Sequence, residues 1–557
     1  MKKLLTNNNR LNPHLVVISG GILARILFWL ILPPIWKLYA SFSALDLPLI
    51  NYISDFQSYH PLRMPFFDIA SASLFVPFEG VLGTNALTLF SLLISCVGLV
   101  GFSLGSRRLF SNRIALFATI MFAFYPKLVV MSARGMPEAA AVGFLGLMLA
   151  PIGKGIDTNS TRQYVYAGIW AVSAYLMYMP AVLAGIVTTS YLFLRKVQKS
   201  PKSIRSLILD LQIGSFAMPS FVTGIFYLWY GPVATALSAT SGSTIGFGSR
   251  ELFVRSYGLI ERVLRYVGYS IIDFWWHQRG WDAEIHILSR ISRIRDFLDP
   301  VFLPAAIIWV VTALLLTGLV VTGVGSLLQK RSLAGYWIVA WIGMFIALYN
   351  IKNIGWTGAF MTRQVSPLLP AICISFGVGA ASIIEKSDML SRSTHTYHPN
   401  ITLSSQTLMA IFVCAMLIGL LTIGGIHGLF TAKDAAVTEN EVQKLQQTVG
   451  TGSDIAVIGS YTYYRTVLYS HGDLRPTVLL DPDSKGEYIL YYTEAADVQF
   501  VGLNTVTEVE SEYIFIIQKC SGYNAREQRF INQLTIVYEH QIQSTGCDTS
   551  AILMRTE

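Results

Sequence analysis

Charge is scarce in this chain. Only 13% of its 557 residues are Asp, Glu, Lys or Arg, against about 25% in a soluble domain, while 53% are hydrophobic and the mean hydropathy is +0.50. That shortage excludes a soluble globular enzyme and points to a polytopic membrane protein. The formal net charge of +8 does not signal nucleic acid, because the cations gather in short loops between apolar runs, as membrane topology requires. Cysteine is sparse too: there are five, with no Cys-x-x-Cys, so no zinc framework is expected. Cys96, Cys373 and Cys414 fall inside apolar runs, as packing residues do. Cys520 and Cys547 fall in the polar tail, where a disulfide and two free thiols are equally open readings. The tail also lacks Gly-x-Gly-x-x-Gly and a P-loop, so no catalytic role is assigned to it. Internal repeats and low-complexity tracts are missing as well.

What the chain has in quantity is long apolar stretches. Runs able or nearly able to span a bilayer occur at about 15–36, 84–105, 113–131, 137–152, 163–179, 180–195, 207–230, 301–327, 333–350, 366–385 and 407–430, which makes eleven. The first follows Lys2, Lys3 and Arg10. It is too long for a signal-peptide core and ends in Pro33-Pro34-Ile35-Trp36-Lys37 without a small-residue cleavage site, so it is read as an uncleaved span. Positive clusters at Lys2/Lys3/Arg10, Arg107/Arg108/Arg113, Lys154/Arg162, Arg195 to Arg205, Lys330/Arg331 and Lys386/Arg392 all fall on one side for eleven spans with a cytosolic N-terminus. Merging 163–195 into one span would move the Arg195 to Arg205 cluster outside, so two spans are expected there.

This topology leaves two long outer connections, 37–83 and 231–300, and an outer tail. The first carries Asp46, Asp55 and Asp68 and an apolar segment, Phe66 to Phe78, expected as helix along the membrane surface. In the second, Arg255, Glu261, Arg262 and Arg265 interrupt an apolar stripe from Leu252 to Trp276, a pattern suited to an interfacial helix. The loop holds eight arginines, but long segments translocate largely regardless of charge. The fold class expected is a polytopic α-helical membrane domain over 1–434 with a small extracytosolic α/β domain over 435–557. In the latter, Glu439 to Thr448 and Tyr461 to Tyr469 read as helices. Strands are read at Asp454 to Gly459, Thr477 to Leu480, Tyr488 to Tyr492, Tyr513 to Ile517, Thr535 to Tyr538 and Ala551 to Met554. The sequons at Asn159 and Asn400 fall on expected cytosolic loops and are expected to be unused.

Four clusters carry polar chemistry at the outer side. Asp55 with Tyr59, in Ser54-Asp55-Phe56-Gln57-Ser58-Tyr59-His60-Pro61 and followed by Arg63, stands at the mouth of the first span. A carboxylate there suits a general base, although a solvated loop aspartate has the same look, and Asp46 and Asp68 compete for the role. Tyr125-Pro126-Lys127 and Ser132-Ala-Arg134-Gly-Met-Pro137-Glu138 join the third and fourth spans. Glu138 follows a helix-opening proline, which is also ordinary helix-start chemistry, or it is a second carboxylate with Arg134 beside it for an anion. Arg363, before Pro367-Leu-Leu-Pro370, could pair with a lipid phosphate or simply snorkel, and Lys352 is equally placed. The run Asp273-Phe-Trp-Trp-His277-Gln-Arg279-Gly-Trp-Asp282 reads first as an aromatic belt and second as a sugar-stacking patch.

Together these residues resemble the integral-membrane glycosyltransferases of the GT-C fold, which include protein O-mannosyltransferases, the aminoarabinose transferase of lipid A and the Rgt-type transferases. Asp55-Phe56-Gln57-Ser58-Tyr59 is similar to their Asp-Glu-x-x-Tyr motif at the first and last positions and departs at Phe56. Pro126, Arg134, Pro137-Glu138 and Arg363…Pro367-Leu-Leu-Pro370 are similar to the family's later features. Oligosaccharyltransferases share the fold class, but their Trp-Trp-Asp-Tyr-Gly signature is missing. The resemblance implies inverting transfer of a hexose or mannose-like sugar from a polyprenyl- or dolichyl-phosphate donor to a glycan, lipid or protein acceptor at the outer face of a cell membrane. It implies Asp55 and Glu138 as catalytic residues. Tyr59, His60, Arg63, Lys127, Arg134 and Arg363 would bind substrate. It implies no certain cofactor and leaves room for a divalent metal, although no His/Asp/Glu set has clear ligand spacing. A flippase for lipid-linked sugars would show repeats and mid-span polar residues instead; a membrane scaffold whose tail binds a partner is the remaining alternative.

Overall fold

The computed structural model describes residues 12–32, 65–199, 211–230, 303–352, 366–393 and 405–450. Within the tail it describes 454–458, 462–463, 466, 470, 474, 476–480, 498–500, 509, 511–517, 529–544 and 547–556. Two compact units emerge, Met1–Leu30 with Phe90–Ile426, and Ile31–Leu89 with His427–Glu557.

The helices in chain order are α1 (Pro13–Ile31), α2 (Pro65–Leu82), α3 (Leu89–Leu109), α4 (Asn112–Phe124), α5 (Pro126–Ala133), α6 (Pro137–Thr158), α7 (Thr161–Met177), α8 (Val182–Lys199), α9 (Leu211–Tyr230), α10 (Leu303–Gln329), α11 (Leu333–Lys352), α12 (Leu369–Ser393) and α13 (Ser405–Val449). Each of the eleven apolar runs carries helix, the third as the pair α4 and α5. Among the described residues, α1, α3, α6 and the stretch Ser366–Ser387 are long and apolar enough to cross a membrane. The bent pair α4 and α5 makes a fifth. The run 163–195 is two helices: Tyr178 is extended, and Pro180 sits in a 3₁₀ turn, Met179–Ala181, before α8.

Helix α1 shows how the bundle meets its surroundings. Leu23, Leu27 and Leu30 are exposed, whereas Val17, Gly21, Arg25 and Phe28 point inward. An exposed leucine stripe on a helix whose backbone bonds are all internal is what lipid solvates best. Inside the first unit the helices meet through small residues, which let backbones approach closely. A Cβ at Gly98 of α3 would strike the Gly143 backbone of α6, and Gly323 of α10 and Gly379 of α12 face Ser375 O and Leu319 O.

In the second unit, α2 covers the expected surface segment, with Phe67 and Ser71 buried and Val81 and Phe78 exposed. The expected short helix at Glu439 is instead the last part of α13, since no Gly or Pro interrupts the chain between Phe430 and Glu439. Helix α13 stops at Gly450 (φ 79°), whose N–H donates to Gln446 O. Six strands follow: β1 (Ile455–Ile458), β2 (Thr477–Leu480), β3 (Val498–Phe500), β4 (Tyr513–Ile517), β5 (Thr535–Ser544) and β6 (Cys547–Arg555), in the order β3-β2-β1-β4-β6-β5. β3, β2, β1 and β4 pair parallel, and the β5–β6 hairpin adds antiparallel pairing with a register shift between Ile536 and Tyr538. Buried parallel strands read as unbroken apolar runs, as Ile455-Ala-Val-Ile458 does. Phe530, Ile531 and Leu534 close one face over Ala456, Ile514 and Met554. Burial and then the Glu441 carboxylate push the Tyr538 phenol up, so α13's end and β5 share one half-buried polar spot. The strand expected at Tyr488–Tyr492 and Cys520 lie outside the described residues, and β3 has no counterpart in the sequence reading.

Candidate functional site

The site begins with a break. Pro126 has no N–H, and it disfavours α geometry in the residue before it, so Tyr125 is extended (φ −63°, ψ 112°) and α4 ends at Phe124. The apolar run expected to continue to 131 therefore resumes as α5, turned by 47°. A helix end inside an apolar bundle leaves carbonyls without donors. Arg25 supplies them. Its Nη1 donates to Ala123 O (2.6 Å) and Gly21 O (2.9 Å), its Nη2 to Phe122 O (3.0 Å), and its Nε to Ser95 Oγ (2.9 Å). The side chain is 0% exposed. The guanidinium also sits at the C-terminal, partially negative end of α4, where a cation is favoured. Gly20 and Gly21 make this reach possible: a Cβ at Gly21 would meet Ala123 Cβ at 2.7 Å, and one at Gly20 would meet Phe124 at 3.1 Å.

Beyond the break the candidate residues follow within one helix–turn–helix. Lys127 lies in the first turn of α5 and is buried. Arg134 caps α5, and its N–H donates to Val130 O (3.0 Å). Gly135 is left-handed (φ 71°), and Met136 N–H closes back on Met131 O (2.9 Å), a Schellman closure. Pro137 then opens α6, with Glu138 buried in its first turn. Ser91 of α3 pins the turn by donating to Met136 O (3.2 Å). Lys127, Arg134 and Glu138 each have an interaction partner, as buried charge requires. Gly135→Ala is expected to cost about 1–2 kcal/mol, the strain of a left-handed alanine. A lower thermal unfolding midpoint checks it, and an unchanged midpoint refutes it.

The structure therefore brings three of the eight sequence candidates onto one short segment. Asp55, Tyr59, His60, Arg63 and Arg363 lie outside the described residues, as do Asp46 and the Trp275–His277 run. Asp68 and Lys352 fall in α2 and at the end of α11. Arg25 was missed. Its signal was present: an arginine inside the first apolar run, one turn after Gly20-Gly21. Among the described residues no three His, Cys, Asp or Glu side chains stand together to hold a metal.

A helical membrane domain with a broken third run, charges at the opening of the fourth and a terminal α/β sheet is a specific combination. Comparison with solved structures finds the crystal structure of ArnT from Cupriavidus metallidurans bound to undecaprenyl phosphate, with TM-score 0.58 and 13% identity, covering 97% of this chain and 98% of that one. The chain has the GT-C fold. The apo state of the same ArnT matches with TM-score 0.55, 12% identity and the same coverage. The oligosaccharyltransferase AglB from Archaeoglobus fulgidus, in complex with an inhibitory peptide and a dolichol-phosphate, matches with TM-score 0.45 and 12% identity, covering 90% of this chain and 69% of that one. Residues 60–227 of this GT-C chain match the model of the dolichyl-phosphate-mannose-protein mannosyltransferase family. No curated protein matches by sequence.

Proposed function

We propose that the chain is an inverting membrane glycosyltransferase that moves a hexose or mannose-like sugar from a polyprenyl- or dolichyl-phosphate carrier to a glycan, lipid or protein acceptor on the outer face. The observation that supports this most is the family-model match over 60–227, because that stretch holds the turn carrying Lys127, Arg134 and Glu138. In this reading the chain crosses the cell membrane eleven times, with a cytosolic N-terminus and an extracytosolic C-terminal domain.

The chemistry needs a base and a sink for negative charge. An acceptor hydroxyl oxygen attacks the anomeric carbon while the bond from that carbon to the carrier phosphate oxygen breaks. Attack from the side opposite the leaving group inverts the centre. Asp55 takes the hydroxyl proton. The departing carrier phosphate gains a negative charge, which Lys127, Arg134 and Arg363 offset, the guanidinium forks pairing two phosphate oxygens at once. Glu138 orients sugar or acceptor hydroxyls, and Tyr59, His60 and Arg63 bind substrate beside the base.

The test uses purified full-length chain in proteoliposomes with radiolabelled polyprenyl- and dolichyl-phosphate sugars and membrane-extract acceptors. Wild type is expected to transfer label, and Asp55→Asn to lose about 10²- to 10⁴-fold in rate, the usual contribution of a general base. Full transfer by a folded Asp55→Asn would remove Asp55 from the role. No transfer from any donor by folded wild type, together with carrier translocation, would make the protein a flippase instead.

A further inference from the structure

We propose that the first unit carries a second binding site, for the phosphate headgroup of an anionic phospholipid in the leaflet opposite the candidate catalytic turn. The placement follows from α6. Glu138 opens this helix and Asn159 caps its far end in left-handed geometry. With 22 residues the helix is about 33 Å long, close to the thickness of a bilayer's hydrocarbon core. A cavity of about 340 Å³ opens at that far end, where α6, α7, α8 and α9 meet.

Its polar wall is basic and internally organised. Arg195 and Lys196, both half-buried at the end of α8, line it together with Gln212 of α9 and Asn159. Gln212 Nε2 donates to Asn159 O (2.9 Å), and Lys196 Nζ donates to Gln212 Oε1 (3.3 Å), so the amide links the lysine to the cap of α6. Arg195 Nη1 donates to Tyr191 Oη (3.3 Å), which steadies the guanidinium along its own helix. The acid at the rim, Asp157, pairs with Arg108 at 3.6 Å. Leu192 and Ile213 supply apolar lining beside this charge. Two cations, an amide and adjacent apolar surface recognise a phosphodiester joined to acyl chains better than a free anion. Basic pockets between membrane helices bind anionic headgroups on this principle. Nothing here depends on the transfer reaction.

The experiment measures lipid selectivity of the purified full chain. Delipidated protein in mixed micelles is titrated with phosphatidylglycerol, phosphatidylcholine or inorganic phosphate, and thermal midpoint and lipid adducts in native mass spectra are read. Phosphatidylglycerol is expected to bind in preference to phosphatidylcholine and to raise the midpoint, with no effect of millimolar phosphate. At roughly fivefold per basic residue, R195Q/K196Q is expected to weaken that preference about 30-fold. R195K/K196R should keep it, and so should Lys154→Gln, which changes an exposed cation of the same helix end outside the cavity. Equal binding of both lipids, a preference that survives R195Q/K196Q, or displacement by inorganic phosphate would each overturn the proposal. If the double variant does not fold, the single changes Arg195→Gln and Lys196→Gln, each expected to weaken the preference roughly fivefold, decide it, and an unchanged preference in both overturns the proposal.

Discussion

Arg25→Leu is expected to destabilise the first unit by about 3 kcal/mol or more. The change removes a charge that is costly to hold in an apolar interior, which by itself would favour leucine. It also removes every donor that Arg25 gives to Phe122 O, Ala123 O and Ser95 Oγ. The carbonyls lie where Pro126 has ended α4, so the helix offers no substitute bond, and each orphaned buried acceptor costs about 1–3 kcal/mol. The loss side is larger because two or three acceptors are abandoned for one charge removed. Arg25→Lys keeps the charge and three donors but not the fork, so it is expected to fall between wild type and leucine. Denaturation midpoints of the three proteins in one detergent check the order. A leucine variant as stable as wild type would show that the break is satisfied some other way. The consequence for function runs through the same bond set, since α5 and its Lys127 take their direction from that break.

Gly98→Val is expected to have the other large effect. A Cβ at 98 collides with the Gly143 backbone; one added at Gly143 would in turn meet Ile94 O at 2.6 Å, and one at Gly146 would meet Gly98 O at 2.5 Å. The obstacle is main chain on both sides, so no rotamer change relieves it, and α3 must move away from α6. Overpacking a core costs about 1–3 kcal/mol even where side chains can yield; here the expected loss exceeds that range. Loss of the monodisperse species in size-exclusion chromatography checks it. Gly318→Ala is the contrast: nothing lies within 4 Å of its added Cβ, and alanine is favoured over glycine in a helix interior by about 1 kcal/mol. It should therefore be neutral or stabilising. If Gly98→Val behaves like Gly318→Ala, the close α3–α6 approach is not a feature of the protein. Separation of these helices would also withdraw Ser91 from Met136 O, the bond that holds the turn between Arg134 and Glu138.

The sequence by itself determined the helices and several strands, because both signals are local. Eleven apolar runs became helix because a chain that cannot bond to water must bond to itself, and 163–195 divided at Pro180 because proline cannot continue the ladder. Strands at 455–458, 477–480 and 513–517 were legible as apolar runs of buried parallel sheet. At the site, Pro137 and Glu138 were readable for the same reason: a helix start is written in its first turn. Tertiary structure alone decided what depends on partners distant in sequence. Sequence marked Pro126 as an end, but only the fold shows a second short helix after it and Arg25, 98 residues before Ala123, closing the gap. The order β3-β2-β1-β4-β6-β5 and the three-residue β3 follow from pairing with neighbours, to which a short segment's own composition is blind. The seam of Gly98 on Gly143, and the meeting of Arg195, Lys196 and Gln212 around one cavity, are likewise set by which helix faces touch. Periodicity gives each helix a face, and long-range packing chooses what that face meets.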